Sequence, residues 1–207
     1  MIPALKSPNN KTALPLVVKV GGSLFHGIPT LVPVLKASKH PLVLIPGGGP
    51  FADTVRQCKV DNDTAHWMAV AAMEQYGWFI ASHGIPEMTE IGNTVTTAVF
   101  LPYRFCLLND VMPHTWDVSS DTIAACVAGS LHLDILLLKS VDGISINGVL
   151  QQQVTGPVDS DVTDPFFIPY VMKNRIHATI INGSYPDRVE KYLKGDLVPC
   201  TEISTTF

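Results

Sequence analysis

The sequence predicts an α/β protein with a mostly parallel central sheet and helices on both of its faces. Short apolar runs rich in β-branched residues alternate with longer segments of helical periodicity. Glycine-rich turns follow the first two apolar runs, at Gly21-Gly22 and at Gly47–Gly49. Such sheets bind ligands beyond the carboxyl ends of their strands, so these turns lie where a ligand is expected.

Five buried strands and one hairpin are predicted. The strands span Leu14 to Val20, Pro41 to Ile45, Phe105 to Leu108, Leu133 to Leu138 and Ala178 to Ile181. The segment from Ile144 to Leu150 is typical of a β-hairpin, because Asn147-Gly148 at its centre tolerates the positive φ angles of a two-residue turn.

Helices are predicted between these strands. They span Ile28 to Ser38, the triple glycine to about Cys58, Ala65 to Ser82, Ser119 to Leu131 and Pro186 to Lys194. The stretch from Asp61 to Thr64 is a helix-start signal, and Ser119-Ser120-Asp121 caps the next predicted helix. Gly195 is placed to end the last one.

Length and composition limit the class of protein. The 207 residues suit one domain, and we expect residues 1–14 to form a flexible arm and residues 15–207 a single domain. The net charge of −4 argues against nucleic acid as the main partner. The apolar stretches are too short to span a bilayer, and no signal peptide is recognised, so a cytoplasmic location is expected. The four scattered cysteines are interpreted as reduced thiols, and the seven histidines show no metal-binding spacing, so no protein-built metal site is predicted.

The first candidate motif follows the first predicted strand. Lys19 lies at the end of a buried run, where a cation is costly unless it meets an anion. Gly21 and Gly22 allow the backbone to approach a ligand closely, and their N–H groups with the Ser23 hydroxyl could form a phosphate nest. The alternative is a tight turn beside a lysine that extends its ammonium to the surface.

The triple glycine Gly47–Gly49 is the second candidate motif. Three consecutive glycines cost more entropy on folding than a structural turn usually justifies. Contact between their backbone and an anionic ligand, supported by the N-terminus of the following helix, explains them better.

Polar residues follow three further predicted elements. Asp121 lies in the first turn of a helix, where it could pair with lysines or only complement the helix dipole. Lys139, the Asp142-Gly143 turn and Asn182 each follow a predicted strand, where a simple structural turn is the alternative. Several charged or small residues at neighbouring strand ends indicate a ligand site more strongly than any one of them does.

Two further segments offer alternatives. His66 and Trp67 could line a ligand pocket, although a partly buried histidine and a core tryptophan are the more common outcome. The acidic residues in the segment from Asp159 to Asp164 are interpreted as a solvated loop.

Together the motifs resemble those of the amino-acid-kinase superfamily. They are KVGGS at 19–23, PGGGP at 46–50, SSDTIAA at 119–125 and KSVDGI at 139–144, in that order. The resemblance covers residues 16–201 and implies a three-layer α/β/α sandwich. Within the superfamily, GGGPFADTVR, AHWMAVAAMEQYG and TWDVSSDTIAA are similar to the phosphate kinases of methanofuran biosynthesis, which phosphorylate aminomethyl-furanmethyl phosphate with ATP and Mg²⁺.

This resemblance implies roles for the phosphoryl-transfer and ATP-binding residues. Lys19 would stabilise the transferred phosphoryl group, and Asp121 would organise the active-site lysines. A second catalytic lysine is expected, and the candidates are Lys173 and Lys139. The ATP side would be formed by Gly21, Gly22, Ser23, Val141, Asp142, Gly143 and Asn182.

The resemblance also implies an acceptor side. Gly47, Gly48 and Gly49 would bind the acceptor, and Arg56 would contact its phosphate. His66 could line the same pocket. Asp117 could pair with an ammonium on the acceptor, or it could be an ordinary residue at a helix entry.

The function expected from these roles is an ATP-dependent kinase that acts on a phosphorylated small molecule, as a homo-oligomer. Another acceptor, such as UMP, isopentenyl phosphate or an amino-acid carboxylate, is one alternative. A non-catalytic protein that binds an anion such as molybdate on the same fold is another.

Overall fold

The computed structural model describes residues 14–90, 96–110 and 112–204. Ten strands lie in this part of the chain: β1 (Leu16–Val20), β2 (Leu42–Pro46), β3 (Glu87–Met88), β4 (Ala98–Phe100), β5 (Ile135–Lys139), β6 (Ser145–Ile146), β7 (Val149–Leu150), β8 (Gln153–Val154), β9 (Ala178–Asn182) and β10 (Cys200–Ile203). Of the predicted arm at residues 1–14, all but Leu14 lies outside the described residues.

Eight of these strands form one sheet in the order β3-β4-β2-β1-β5-β9-β10-β8. Neighbouring strands pair in parallel except β9 and β10, which are antiparallel. The first strand is therefore central, flanked by β2 and β5. The strands β6 and β7 form a separate hairpin whose turn residues Asn147 and Gly148 have positive φ, as predicted.

The described helices are α1 (Ile28–Lys36), α2 (Gly49–Gln57), α3 (Asn62–Ala81), α4 (Tyr103–Leu108), α5 (Ser120–Leu131), α6 (Phe167–Lys173) and α7 (Pro186–Leu193). A short 3-10 helix, Gly22–Gly27, connects β1 to α1. None of the described helices is both long enough and apolar enough to cross a membrane.

The two faces of the sheet carry separate hydrophobic cores. Strand side chains alternate between them, so Val17 packs with α5 and α6 on one face, whereas Val18 packs with α1 and α7 on the other. Since helix α3 contributes residues to both cores, it closes one end of the sandwich. This arrangement confirms the predicted three-layer α/β/α sandwich. It also places Lys19, two residues after Val17, on the face of the sheet that α5 covers.

The prediction for Phe105 to Leu108 was wrong. These residues belong to helix α4, which starts directly after Pro102. A run of four apolar residues carries no periodicity that separates a strand from a buried helix. The sheet is extended on that side by β3 and β4, and α6, β8 and β10 are further elements that the sequence pattern did not predict. The other four predicted strands agree with the structure to within two residues at each end.

The two glycine turns of the sequence are in direct contact. The Gly47 N–H donates to the Val20 carbonyl at 2.8 Å, and the Gly21 N–H donates to the Leu138 carbonyl at 2.9 Å. A Cβ on Gly22 would lie 2.6 Å from the Gly49 nitrogen. The glycines therefore allow the ends of β1 and β2 to meet backbone to backbone, which is a structural reason for them in addition to any ligand.

Gly22→Ala is expected to lower the free energy of unfolding by about 1–3 kcal/mol, because the added Cβ meets backbone atoms that cannot rotate away. Urea denaturation would measure the change. Gly27→Ala is the matched control: Gly27 has helical φ and ψ, and nothing lies within 4 Å of an added Cβ. Equal stability of the two variants would contradict the close contact between the turns.

Candidate active site

A buried charge cluster lies where β1, β5 and α5 meet. The Asp121 carboxylate contacts two ammonium groups, with Oδ1 2.6 Å from Lys19 Nζ and Oδ2 2.6 Å from Lys139 Nζ. Lys19 and Asp121 are only 4% and 2% exposed. Lys19 comes from the central strand, Lys139 from the end of the neighbouring strand, and Asp121 from the first turn of α5.

The cluster holds two cations and one anion, so it carries a net positive charge. Burial would raise the pKa of the Asp121 carboxyl, but the charges of Lys19 and Lys139 outweigh burial and hold that pKa below its ordinary value. Burial is the main cause that lowers the pKa of Lys139. The charge of Lys19 adds to this effect, and the Asp121 carboxylate only partly opposes it. A buried excess of positive charge is costly without a partner. The geometry therefore suits a site that is completed by an anionic ligand.

Asp164 fixes the start of helix α5, and with it Asp121. Ser119 donates its N–H and its hydroxyl to Asp164, and Thr122 does the same. The N–H groups of Phe166 and Phe167 also donate to this carboxylate. Four of these six donors belong to Ser119 and Thr122, so they tie the 156–166 loop to the residues on either side of Asp121. The prediction of a solvated acidic loop was wrong for Asp164, although Asp159 and Asp161 are exposed.

The predicted ATP side lies at the ends of β5 and β9. Asn182, in register with Lys139, donates through Nδ2 to the Asp142 carboxylate at 3.0 Å. Arg188 of α7 also donates to Asp142. The hydrogen bond from Asn182 is the main cause that holds the pKa of Asp142 below its ordinary value. The hydrogen bond from Arg188 adds to it, and burial opposes both. Val141 is exposed beside this turn, as is Ser23 at the end of β1.

Thr201 of β10 supports the Asp142-Gly143 turn. Its buried hydroxyl donates to the Gln151 carbonyl at 2.6 Å and accepts the Ile144 N–H at 2.9 Å. A Cβ on Gly143, where φ is +152°, would lie 2.3 Å from that hydroxyl oxygen. Thr201 therefore holds the Asp142-Gly143 turn in place.

A cleft opens on the other side of the cluster, between α2, α3 and the start of α5. Its lining includes Gly48, Arg56, His66, Trp116, Ser119 and Ser120. The Arg56 guanidinium lies 5.2 Å from the centre of the Trp116 ring, a cation–π contact, and also pairs with Asp53. Because Ser119 and Ser120 precede Asp121 directly, one wall of the cleft leads to the charge cluster.

Three predicted residues lie elsewhere. Asp117 is exposed and is not part of the cleft lining. Lys173 is exposed at the end of α6, five residues before β9 begins, so it lies toward the opposite edge of the sheet from the strand ends that hold Lys139. Trp67 packs against the core, as its more common role suggests, with its ring 5.7 Å from that of Tyr103.

Sequence reasoning missed Trp116, Asp164, His114 and Arg188. Each belongs to a loop or helix that reaches the site only through the tertiary fold. Trp116 was the one with a local signal, because it lies within a motif, TWDVSSDTIAA, that the resemblance already included.

Asp164→Asn is expected to lower the free energy of unfolding by about 2 kcal/mol, because an amide NH₂ would face N–H and O–H donors in place of one carboxylate oxygen. Turnover should fall as well, since Asp121 loses its fixed position. Asp161→Asn, on the same loop and exposed, is the matched control. Thermal unfolding and steady-state kinetics would measure both; a change no larger than that of the control would contradict the capping role.

A known kinase is similar to this chain in sequence. The chain is 27% identical over an alignment of 203 residues to the [5-(aminomethyl)furan-3-yl]methyl phosphate kinase of Methanocaldococcus jannaschii, with 86% of this chain and 93% of that enzyme covered. No protein-family model matches the chain.

Solved structures share the fold. The UMP kinase of Ureaplasma parvum superposes with a TM-score of 0.68 at 16% identity, covering 93% of this chain and 99% of that one. An isopentenyl phosphate kinase gives a TM-score of 0.58 at 17% identity, covering 92% and 100%. These structures confirm the fold that the resemblance to the amino-acid-kinase superfamily implies, and the sequence similarity is to a kinase, the expected class of enzyme.

Proposed function

We propose that the protein transfers the γ-phosphoryl group of ATP to an acceptor that already carries a phosphate, and that this acceptor is aminomethyl-furanmethyl phosphate, which becomes the diphosphate. The main support for the proposal is that Lys19 and Lys139 both form ion pairs with the Asp121 carboxylate. Magnesium as the ion that accompanies ATP, a cytoplasmic location and a homo-oligomeric state are part of the same proposal.

The charge cluster suits phosphoryl transfer. In this reaction the bond between the γ-phosphorus and the bridging oxygen of ATP breaks, and an oxygen of the acceptor phosphate forms the new bond while ADP leaves. The protein mainly positions the groups and stabilises negative charge. Lys19 and Lys139 are held by one carboxylate, so their ammonium groups are fixed before the reaction begins. A phosphate acceptor is already an anion and needs no general base.

ATP would bind at the ends of β1, β5 and β9. The Gly21-Gly22 turn and Ser23 would hold its phosphates, and the Asp142-Gly143 turn with Asn182 would hold the nucleoside part. The strand-end carboxylates are already engaged, Asp121 by two lysines and Asp142 by Asn182 and Arg188. A magnesium ion would therefore be held by ATP phosphates and water, and when bound it would offset their negative charge.

The acceptor would bind in the cleft between α2 and α3. Arg56 offers its phosphate a guanidinium, oriented by Trp116. The Gly47–Gly49 turn and the helix N-terminus that follows it would contact the same phosphate. The similarity to the Methanocaldococcus jannaschii kinase supports the furan acceptor, because that enzyme is named for this substrate.

An acceptor screen would test the substrate. With ATP and Mg²⁺, kcat/KM for aminomethyl-furanmethyl phosphate is expected to exceed that for UMP and isopentenyl phosphate by at least about a hundredfold, because a site built to bind one acceptor leaves its polar groups unpaired with another. Coupled detection of ADP would measure turnover. A higher value for UMP or isopentenyl phosphate would reject the furan acceptor. Tight binding of an inorganic anion without turnover of any acceptor would reject catalysis.

Three lysine variants would test the charge cluster. Lys19→Met and Lys139→Met each remove one fixed ammonium and should lower kcat by about 10²–10³-fold, as for other preorganised charges. Lys173→Met is the matched control and should leave kcat within about twofold, because its position is exposed and distant from the cluster. Circular dichroism would check folding. A loss of kcat in Lys173→Met but not in Lys139→Met would overturn the assignment of the second lysine.

A further inference from the structure

His66, which lines the cleft, stacks on a second histidine, His114. The rings of His66, on α3, and His114, in the loop before α5, lie 4.0 Å apart at an interplanar angle of 9°. His114 Nδ1 is 2.9 Å from a carboxylate oxygen of Asp63, and its Nε2 is 2.9 Å from one of Asp110. Ionised carboxylates only accept hydrogen bonds, so both nitrogens of His114 must carry a proton. His114 is therefore an imidazolium that links α3 to this loop.

Burial and the charge of His114 both disfavour a proton on His66. Burial, and next the positive charge of His114, lowers the pKa of His66, and the more distant carboxylates of Asp110 and Asp63 only partly oppose them. The hydrogen bond to Asp110 is the main cause that raises the pKa of His114, against the effect of burial, with Asp63 adding to it. The two rings are thus shifted in opposite directions, so that His114 holds a proton more readily than His66.

His66 has free hydrogen-bonding capacity in the cleft. Among residues 14–90, 96–110 and 112–204, neither of its ring nitrogens has a hydrogen-bond partner. A neutral imidazole presents one N–H and one lone pair. The neighbouring group of Asp63, Asp110 and His114 has two negative charges and one positive, which leaves a net negative edge beside that lone pair. This combination favours a ligand cation that can donate a hydrogen bond.

We propose that His66 selects the acceptor of this kinase, by accepting a hydrogen bond from a primary ammonium group on the molecule whose phosphate Arg56 binds. His114 is the positioning residue, because it holds the His66 ring and keeps its lone pair free. The inference rests on the proposed function and names the residue that distinguishes an amine-bearing phosphate from other phosphates. It replaces Asp117, which the structure places outside the cleft lining, as the partner of that amine.

A metal ion is the competing ligand for the same residues. His66, Asp110 and His114 have ligand atoms within 4.8 Å of one another. Lone pairs of imidazole lie in the plane of the ring, however, and two nearly parallel rings 4.0 Å apart cannot both direct them at one ion. The observed stack therefore favours an ammonium ligand.

Two acceptors that differ only in the amine provide the kinetic test. Aminomethyl-furanmethyl phosphate is compared with the analogue in which a methyl group replaces the aminomethyl group. His66→Phe should lower kcat/KM for the amine about 10- to 100-fold, the range for a lost hydrogen bond to a charged group, and leave the analogue nearly unchanged. His66→Asn, neutral and able to accept, should retain most of the preference. His83→Phe, two residues past the other end of α3, is the matched control. Equal losses for both acceptors in His66→Phe would overturn the inference.

The pH dependence tests the role of His114. The groups that face His66 are His114, Asp110 and Asp63, with Arg56 across the cleft. Protonation of His66 removes its lone pair, so kcat/KM for the amine should fall as pH drops through the lowered pKa, below 6.5 in the unmodified protein. His114→Gln removes the neighbouring charge and should move that fall up toward pH 6.5. An unchanged profile would overturn the positioning role.

An NMR titration of the protein without ATP separates this inference from the proposed function. The imidazole signals should show His114 protonated and His66 neutral at pH 6.5. Aminomethylfuran should shift the His66 signals, whereas methylfuran should not. If no phosphate acceptor turns over yet aminomethylfuran still shifts His66, the proposed function fails and the amine site stands. Turnover of the furan phosphate without a selective shift would leave the proposed function standing and overturn the amine site. Binding of Zn²⁺ at His66 where aminomethylfuran does not bind would also overturn the amine site.

Discussion

The buried contact of one carboxylate with two ammonium groups is the constraint on which the site depends. Lys19 lies on the central strand and can avoid the apolar interior only by reaching the strand end. Asp121 provides the counter-charge there, and it also brings Lys139 to the same point. Because the carboxylate offsets only one of the two cations, the fold retains an excess of positive charge that an anion can complete. Stability of the free protein and affinity for phosphate are therefore opposed in this cluster.

Neighbouring elements hold that cluster in position by contacts between protein groups. Asp164 fixes the first turn of α5, and the glycine turns let β1 and β2 end side by side. Thr201 holds the Asp142-Gly143 turn from beneath. Each of these contacts joins segments that are distant in the sequence, so the geometry of the site depends on the completed sandwich. A loss of any one should affect catalysis through position before it affects ligand contact.

The parts predictable from sequence are those that local chemistry determines. Lys19 and Asp121 could be placed together because one ends a strand and the other begins a helix, and both positions lie at the same edge of a parallel sheet. The same rule favours Lys139 over Lys173 as the second lysine, because only Lys139 lies at the end of a strand. Asp164 gave no local signal, because an acidic residue in a polar loop has the same pattern whether it is solvated or accepts six hydrogen bonds. The four apolar residues from Phe105 were ambiguous between strand and helix.

Charge is distributed unevenly along the cleft, and this distribution bears on how an acceptor can enter. The end at α5 leads to the buried lysines and carries positive charge, whereas the group of Asp63, Asp110 and His114 carries a net negative charge. A molecule with a phosphate at one end and an ammonium at the other is attracted in one orientation and repelled in the reverse. The productive orientation directs the phosphate toward Lys19 and Lys139. An acceptor without the amine gains only the first of these attractions, so orientation and selectivity have the same electrostatic origin.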